Sequence, residues 1–158
     1  METVYSLQTG ARNKILREKA QHIDKITKDV RMFCAILLDK MYELEWVGLA
    51  SPQIWVSKRI IAVTFWKEKD KKLTCLGDEV MINPVITRRS DEKYLFEEAC
   101  LSLPGKRWDV LRNRHIKVQY KTPDGKEHIK KLSSMSAVIV QHEIDHLDWV
   151  LFIDKIVE

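Results

Sequence analysis

Two histidines four residues apart near the end of the 158-residue chain, His142 and His146, are the side chains best placed to do chemistry. They lie in the stretch Gln-His-Glu-Ile-Asp-His-Leu, from 141 to 147. Because residues four apart share one face of a helix, both imidazoles can bind the same metal ion. Glu143 follows the first histidine, where its carboxylate can take a proton from a water that the metal activates. The spacing predicts a catalytic metal site; a solvated histidine pair on a surface helix is the alternative.

Two histidines leave such a site incomplete, because catalytic metals of this kind are held by three protein ligands and keep one position for water. Cys100 stands out among the remaining candidates. The chain has three cysteines, an odd number at scattered positions, and this is not the pattern of a disulfide framework. Taken alone, Cys100 is more simply explained as a structural cysteine in a strand, and Cys34 as a small buried residue of a helix.

Two stretches have the period of a helix and must support these residues. The first runs from Thr27, a favourable N-cap, to about Leu44 and presents one apolar face. The second covers about 135–146 and carries both histidines, with Ser133 or Ser134 as its cap. The apolar face of the first helix consists of Val30, Phe33, Cys34, Leu37, Leu38, Met41 and Leu44.

Between the two helices, β-branched and aromatic runs separated by turn residues predict strands. The clearest is a hairpin with Pro123-Asp124-Gly125 at its turn. Pro84 lies inside another predicted strand and indicates an edge or a bulge there. Gly and Pro predict a loop over 46–53, and the apolar residues 150–153 are expected to pack on the core. The predicted strands are 60–66, 73–76, 80–86, 93–103, 115–121 and 128–132.

Strands between two helices of different roles predict an α+β fold, with antiparallel or mixed sheets packed around the C-terminal metal-binding helix and an amphipathic N-terminal helix. Hydrophobic residues make up 45% of the chain, which suits a single domain over residues 1–158. The net charge is +4 with cations spread along the sequence, so we expect no specific nucleic-acid partner. Without a signal pattern or a long apolar run, we expect a cytoplasmic protein with no membrane partner. We also expect a monomer.

Three stretches together give the sequence a resemblance to a known family. They are Gly48-Leu49-Ala50-Ser51-Pro52-Gln53, Glu98-Ala99-Cys100-Leu101-Ser102 and Gln141-His142-Glu143-Ile144-Asp145-His146. In order and separation they resemble the three motifs of the peptide deformylases, and the similarity extends from about residue 15 to 153. The His-Glu-x-x-His stretch alone leaves zinc proteases open, whereas the three motifs together are specific.

The resemblance implies roles for six residues. Cys100, His142 and His146 would hold one divalent metal ion, with iron(II) as the physiological ion and zinc, nickel or cobalt also able to occupy the site. Glu143 would act as general base and then as general acid. Gln53 and the backbone N–H of Leu101 would bind the formyl oxygen as it becomes an oxyanion. The implied substrate is the formyl-methionyl end of a newly made polypeptide, and the implied product is formate.

The resemblance also implies a substrate pocket. Ile139, Val138 and Met135 precede His142 by three, four and seven residues, so they lie on the same helix face as the ligands. There they line a pocket for a methionine side chain, belong to the core, or do both. By position in the motifs Val47, Phe96 and Arg107 would complete this pocket. The backbone of Trp46, Val47 and Gly48 would pair with the substrate as an added strand. Glu98 is expected to pair with Arg112 and brace the Cys100 loop; an ordinary surface ion pair is the alternative.

The chain departs from the family pattern at several tryptophans. Trp46, Trp55 and Trp149 stand where the pattern has glycine, and Trp108 is a possible fourth. The sequence has only five glycines, about half the usual share, and as many tryptophans. One hypothesis is that the source reads UGA as glycine and that the sequence was translated with UGA as tryptophan. UGG codons at 46, 55 and 149 would refute it.

Two other interpretations of function remain at this stage. One is a deformylase-like binding protein with reduced or no activity, because Trp46 narrows the substrate cleft. The other is a metallopeptidase of a different family, against which Cys100 and Gln53 argue. The chain ends soon after its last apolar segment, without the long C-terminal extension of many bacterial deformylases. Any contact with the ribosome is therefore expected to be weak.

Overall fold

The computed structural model describes residues 4–157, and its first helix, α1, spans Lys28–Glu43. The hydroxyl of Thr27 accepts a hydrogen bond from the N–H of Val30, as expected of an N-cap residue. At the other end, the N–H of Trp46 donates to the carbonyl of Met41, and Glu45 has a φ of 53°. This is the Schellman arrangement that ends many helices, with Glu45 at the position usually taken by glycine.

A five-stranded antiparallel sheet lies between the two helices. Its second strand is buried on both faces. Ile61 and Val63 pack toward the second helix, whereas Ile60 and Ala62 pack toward α1. The strands are β1 (Gly48–Ala50), β2 (Ile60–Lys69), β3 (Lys72–Arg89), β6 (His115–Lys121) and β7 (Glu127–Ser133).

The structure differs from the predicted strands in several places. The predicted strand 93–103 ends at Ala99, and the strand over Arg107–Asn113 was not predicted. The predicted strands 73–76 and 80–86 are one strand, β3, which lies inside the sheet between β2 and β6. Pro84 is tolerated there because the pairing with β6 shifts register between Ile82 and Val85, so its missing N–H interrupts no ladder bond. The stretch predicted as a loop over 46–53 contains β1, since three residues pair with β2.

A separate two-stranded sheet and the second helix position the candidate site. β4 (Lys93–Ala99) and β5 (Arg107–Asn113) pair antiparallel, and Cys100 follows directly after β4. The second helix, α2, spans Ser134–Leu147 and packs on the sheet face opposite α1. The α+β class, the antiparallel sheets and the C-terminal helix are as predicted. No helix within residues 4–157 combines the length and apolarity needed to cross a membrane.

The two ends of α2 are closed in different ways. Ser133 occupies the N-cap position, but its side chain makes no capping hydrogen bond. At the C-terminal end, the N–H of Val150 donates to the carbonyl of Asp145, and Trp149 has a φ of 56°. This is a second Schellman ending, with tryptophan in the position that favours glycine. The carbonyl of Leu147 accepts from Ala20 N–H and from Arg59, and that of Trp149 accepts from Arg17.

Two of the questioned tryptophans therefore lie in left-handed backbone conformations. Trp55 has a φ of 72° after a short 3-10 turn, and Trp149 ends α2. Their side chains are about half exposed, at 55% and 48%. Trp108 lies instead in extended β5 and packs on Phe152, with 6.1 Å between ring centroids. Trp46 follows a residue of positive φ but is not itself in that region. Glycine would thus relieve strain at 55 and 149 only.

We expect Trp55→Gly and Trp149→Gly each to stabilise the fold. A left-handed conformation costs an L-residue about 1–2 kcal/mol and costs glycine almost nothing, while the lost tryptophan contacts and the freer unfolded chain offset part of the gain. A net gain of about 0.5–1 kcal/mol would raise Tm by about 1–4 °C in a chain of this size. Thermal unfolding measures it. Trp108→Gly is the matched control and should lower Tm; a lower Tm for both test variants would contradict the strain argument.

Candidate metal centre

Three side chains from two separate parts of the chain converge at the buried end of α2. Cys100, His142 and His146 each offer a ligand atom, and these atoms lie within 4.8 Å of one another. The Cys100 Sγ is 3.3 Å from His146 Nε2. All three residues are at least nine-tenths buried. The geometry gathers the histidine pair and the cysteine that the sequence singled out into one group able to hold one metal ion.

The donors suit a tetrahedral divalent ion. Metal–sulfur distances near 2.3 Å and metal–nitrogen distances near 2.1 Å place tetrahedral ligand atoms roughly 3.6 Å apart, close to the sulfur–nitrogen separation seen here. Within residues 4–157, Glu143 Oε2 is buried without a hydrogen-bond partner, and so is His146 Nδ1, the ring nitrogen that does not face Cys100. Buried unpaired polar atoms are costly and point to a ligand or water that completes the site. The residues present therefore fit a metal.

Glu98 fixes the orientation of the first histidine. Its Oε1 lies 2.7 Å from His142 Nδ1, which leaves Nε2 of that ring to face the other ligands. Partners of this kind set the ring and its tautomer in metal sites. Burial acts to raise the pKa of Glu98, but the hydrogen bonds from Arg112 and His142 outweigh burial and lower it to about 2. Glu98 is therefore held as a carboxylate.

Arg112 in turn holds Glu98 through a bidentate ion pair, with nitrogen–oxygen distances of 2.6 Å and 2.9 Å. The paired side chains are only 2% and 3% exposed, so this is a buried pair and not the surface pair considered as the alternative. Arg112 also donates to Asp145, which accepts from Lys155 on its solvent side. Sequence reasoning gave Asp145 no role. Its position three residues after His142 was the available signal, since such residues share a helix face.

Glu143 lies against the backbone of β1. A Cβ added to Gly48 would be 2.5 Å from Glu143 Oε1, so only glycine leaves room for this carboxylate. Glu143 is 3% exposed, and burial raises its pKa to about 7. A carboxylate with a pKa near neutrality can both accept and return a proton. These are the properties of a general acid–base group beside the three possible ligands.

Gln53 approaches the cysteine from the side of the short turn after β1. Its Oε1 accepts from Ala50 N–H at 2.9 Å, which points its amide nitrogen toward Cys100 Sγ at 3.6 Å and the Ser102 hydroxyl at 3.1 Å. Ser102, fully buried, is a second residue that sequence reasoning left without a role. Within residues 4–157 the N–H of Leu101 donates to no other group. Two N–H donors thus lie beside the possible ligands.

A comparison with known proteins now decides the family. The sequence profile described as polypeptide deformylase matches residues 8–158. This chain belongs to the polypeptide deformylase family. It is 38% identical over 144 residues to a peptide deformylase of a Picosynechococcus strain, a match that covers 91% of this chain and 75% of that protein. The chain is accordingly an enzyme of the hydrolase class, as the three motifs predicted.

Solved deformylase structures share the whole fold. One from Acinetobacter baumannii, with Met-Ala-Ser bound, is 32% identical with a TM-score of 0.89, and the match covers 99% of this chain and 100% of that one. Another from Synechococcus elongatus, in complex with actinonin, is 30% identical with a TM-score of 0.86, covering 100% of this chain and 82% of that one. The alternative of a different metallopeptidase family is therefore wrong.

The residues predicted to form the deformylase substrate pocket fall into two groups. Val47 and Met135 pack against the core cluster between α2 and the large sheet, and Ile139 belongs to that cluster. Val138 is buried on the same helix, and Trp46 and Gly48 flank Val47. Phe96 and Arg107 lie instead in the two-stranded sheet, where Phe96 contacts Tyr94 and Arg107 pairs with Glu97 at 2.9 Å. Their role in substrate binding stays a prediction.

Proposed function

We propose that this enzyme removes the N-formyl group from the formyl-methionyl end of newly made polypeptides and releases formate. The supporting observation is the position of Glu143: its carboxylate is buried on the helix turn that carries His142, close enough for the two charges to interact, and burial raises its pKa to about 7. Of the site residues it is the one that matches both requirements of a proton carrier, location and pKa.

In this proposal Cys100, His142 and His146 hold one divalent ion, with iron(II) as the physiological metal. One thiolate and two imidazoles are also suitable ligands for zinc, nickel and cobalt. When bound, such an ion polarises a carbonyl and lowers the pKa of a water ligand. Glu98 and Arg112 keep His142 oriented through the contacts described above. These contacts orient the ring of His142 and leave the three metal-binding atoms free.

The remaining steps belong to the chain's own residues. Glu143 accepts a proton from the water that attacks the formyl carbon and returns it to the leaving nitrogen. The Gln53 amide and the Leu101 N–H donate to the formyl oxygen as negative charge develops on it, the role of an oxyanion hole. Gln53 lies in the short turn after β1 and Leu101 lies just after β4, and the N–H of Ala50 already holds the Gln53 amide in place.

The polypeptide substrate is proposed to bind along β1. β1 is the end strand of its sheet and pairs, within residues 4–157, with β2 alone. A substrate strand added to its open edge would gain main-chain hydrogen bonds from residues 46–48. Val47, Met135 and Ile139, with Val138, Phe96 and Arg107, would then surround the methionine side chain. The methyl thioether is flexible and apolar, so an apolar pocket suits it.

A formate-release assay on formyl-Met-Ala-Ser tests the proposal. The protein is prepared anaerobically and loaded with iron(II) or, separately, with nickel(II). We expect turnover with either ion, none after chelation, and none with acetyl-Met-Ala-Ser, which differs from the substrate only in its acyl group. Binding of the formyl peptide without formate release, in protein carrying one metal per chain, would contradict the proposal. That outcome would favour a deformylase-like binding protein, which nothing in the comparisons supports.

A further inference from the structure

The ring of His142 is held at one edge and at one face. At the edge, its Nδ1 lies 2.7 Å from Glu98 Oε1. At the face, the ring of Phe152 lies nearly parallel to it, with 26° between the planes and 6.1 Å between the centroids. A hydrogen bond at one nitrogen fixes a single point of an imidazole, so the ring can still tilt about that point. A flat side chain against the face limits this tilt, and the two contacts together fix the ring.

Phe152 is in turn covered by Trp108. The phenyl ring is 2% exposed, and its centroid is 6.1 Å from that of the indole, with 41° between the planes. Both separations fall in the range of roughly 4.5–7 Å over which aromatic rings attract one another. On the solvent side, the ammonium of Lys106 lies 5.5 Å from the centroid of the Trp108 ring. Trp108, Phe152 and His142 thus form a series of rings from the surface to the metal centre.

One cross-strand pair supplies both supports of the imidazole. Glu98 on β4 and Trp108 on β5 are directly opposite each other. Residues paired in this way project from the same face of a sheet. Glu98 acts on the edge of His142 directly, and Trp108 acts on its face through Phe152. Cys100 follows Glu98 by two residues and belongs to the same apolar cluster as Phe152.

The segment that carries Phe152 is fixed to the strand that carries Trp108. Ile156, four residues after Phe152, pairs with Val110 in an isolated bridge. Val110 follows Trp108 by two residues on β5. The backbone after the phenyl ring is therefore anchored beside the indole, and the phenyl ring is held between the indole and the imidazole. Removal of the indole would leave the phenyl ring space to turn away from the imidazole.

We propose that Trp108 is a positioning residue for the metal centre, which through Phe152 holds the imidazole of His142 in the orientation that binds the ion. This inference rests on the metal-binding part of the proposed function and not on the reaction with formyl peptides. Trp108 has no role in that reaction. The alternative is that the indole only covers an apolar surface, in which case its loss would lower stability and leave metal binding unchanged.

Trp108→Ala is expected to release the ion faster than the parent. Groups that orient a metal ligand contribute about 10–100-fold to metal affinity, and Trp108 acts through a second ring, so we expect about tenfold faster release. Transfer of zinc(II) from the loaded protein to an excess of chromogenic chelator measures the rate, with no peptide present. Trp108→Phe keeps an aromatic ring and should stay within about threefold of the parent. Phe152→Leu, which lacks a flat ring, should release the ion at least as fast as Trp108→Ala.

A spectroscopic measurement separates orientation from stability. The visible absorption of the cobalt(II)-loaded protein depends on the geometry of its ligands, so it should change in Trp108→Ala and stay as in the parent in Trp108→Phe. Because neither measurement uses a formyl peptide, failure of this inference is distinguishable from failure of the proposed reaction. Slower release from Phe152→Leu than from Trp108→Ala would contradict the route through the phenyl ring.

Tyr5→Ala is the matched control. Tyr5 also packs on a buried phenylalanine, Phe33, with 5.6 Å between ring centroids. This pair lies in the cluster against α1, on the sheet face opposite α2. Tyr5→Ala should lower Tm, as Trp108→Ala does, but should leave the release rate and the cobalt(II) absorption unchanged. Equal release rates in the parent and Trp108→Ala, or equal acceleration in Tyr5→Ala and Trp108→Ala, would overturn the proposal.

Discussion

Replacing Glu143 with glutamine is expected to lower kcat for formate release by about 10²–10⁴-fold, the usual contribution of a positioned acid–base group. Glutamine keeps the shape of the side chain beside Gly48 but can neither accept the proton of water nor return it to nitrogen. The three possible metal ligands are untouched, so metal content should remain near one ion per chain. Steady-state kinetics and metal analysis of the same preparation measure both quantities. Glu143→Ala should behave similarly, with some loss of stability from the space it leaves.

A useful control for this variant is Glu127→Gln on β7. Glu127 is exposed and pairs with Lys121, which has no part in the proposed site. Its kcat should stay within about threefold of the parent, because Glu127 carries no proton in the proposed reaction. If Glu143→Gln kept kcat within tenfold of the parent, another group would have to carry the proton, and the assignment of Glu143 would be wrong.

Cys100→Ala is expected to lose the metal and, with it, turnover. Removing a partner that only orients a ligand already costs about 10–100-fold in metal affinity, so removing a ligand should cost more than about 100-fold. The alanine also leaves two histidines facing a site that needs three protein ligands. Competition with a chromogenic chelator measures the affinity directly. Added metal at high concentration should restore little activity, because the geometry that holds the ion is gone.

Cys34→Ala provides the comparison for this second experiment. Cys34 is also buried, but it lies on α1 in the cluster on the opposite face of the sheet. Its loss should lower stability by about 1 kcal/mol, the cost of a small cavity, and leave metal affinity unchanged. A Cys100→Ala protein that kept one tightly bound ion would show that the sulfur is a neighbour of the histidine pair and not a ligand.

The helices were predictable from the sequence because their signals are local. From Val30 to Met41, apolar residues recur every three or four positions and therefore share one helix face. Thr27 supplies a cap whose contact lies three residues away. The same holds for His142 and His146, which one turn of α2 brings together. The third member, Cys100, lies on a different element, and no periodicity connects it to α2. Its place beside the histidines could be expected only from the resemblance of three motifs to a family.

Features that depend on strand pairing were harder to predict. Pro84 indicated either an edge strand or a bulge. The register of β3 against β6 shows that it is a bulge inside the sheet. β1 is three residues long and has no alternation of its own, so it exists because β2 pairs with it. The row of like charges across β3, β6 and β7 has the same origin. Arg88, Lys117 and Lys131 are unremarkable along the chain and become neighbours only across three strands.

The end of α2 is tied to a stretch that precedes both helices. Leu147 accepts from Ala20 and Arg59, and Trp149 accepts from Arg17, so residues 17–20 cross over the last turn of the helix that carries both imidazoles. His146 is the residue next to Leu147. Proteolytic cleavage or detachment of this stretch would let the last turn unwind and separate the imidazoles while the five-stranded sheet remained folded. A metal ion held by the three side chains would then be released before the chain unfolded globally.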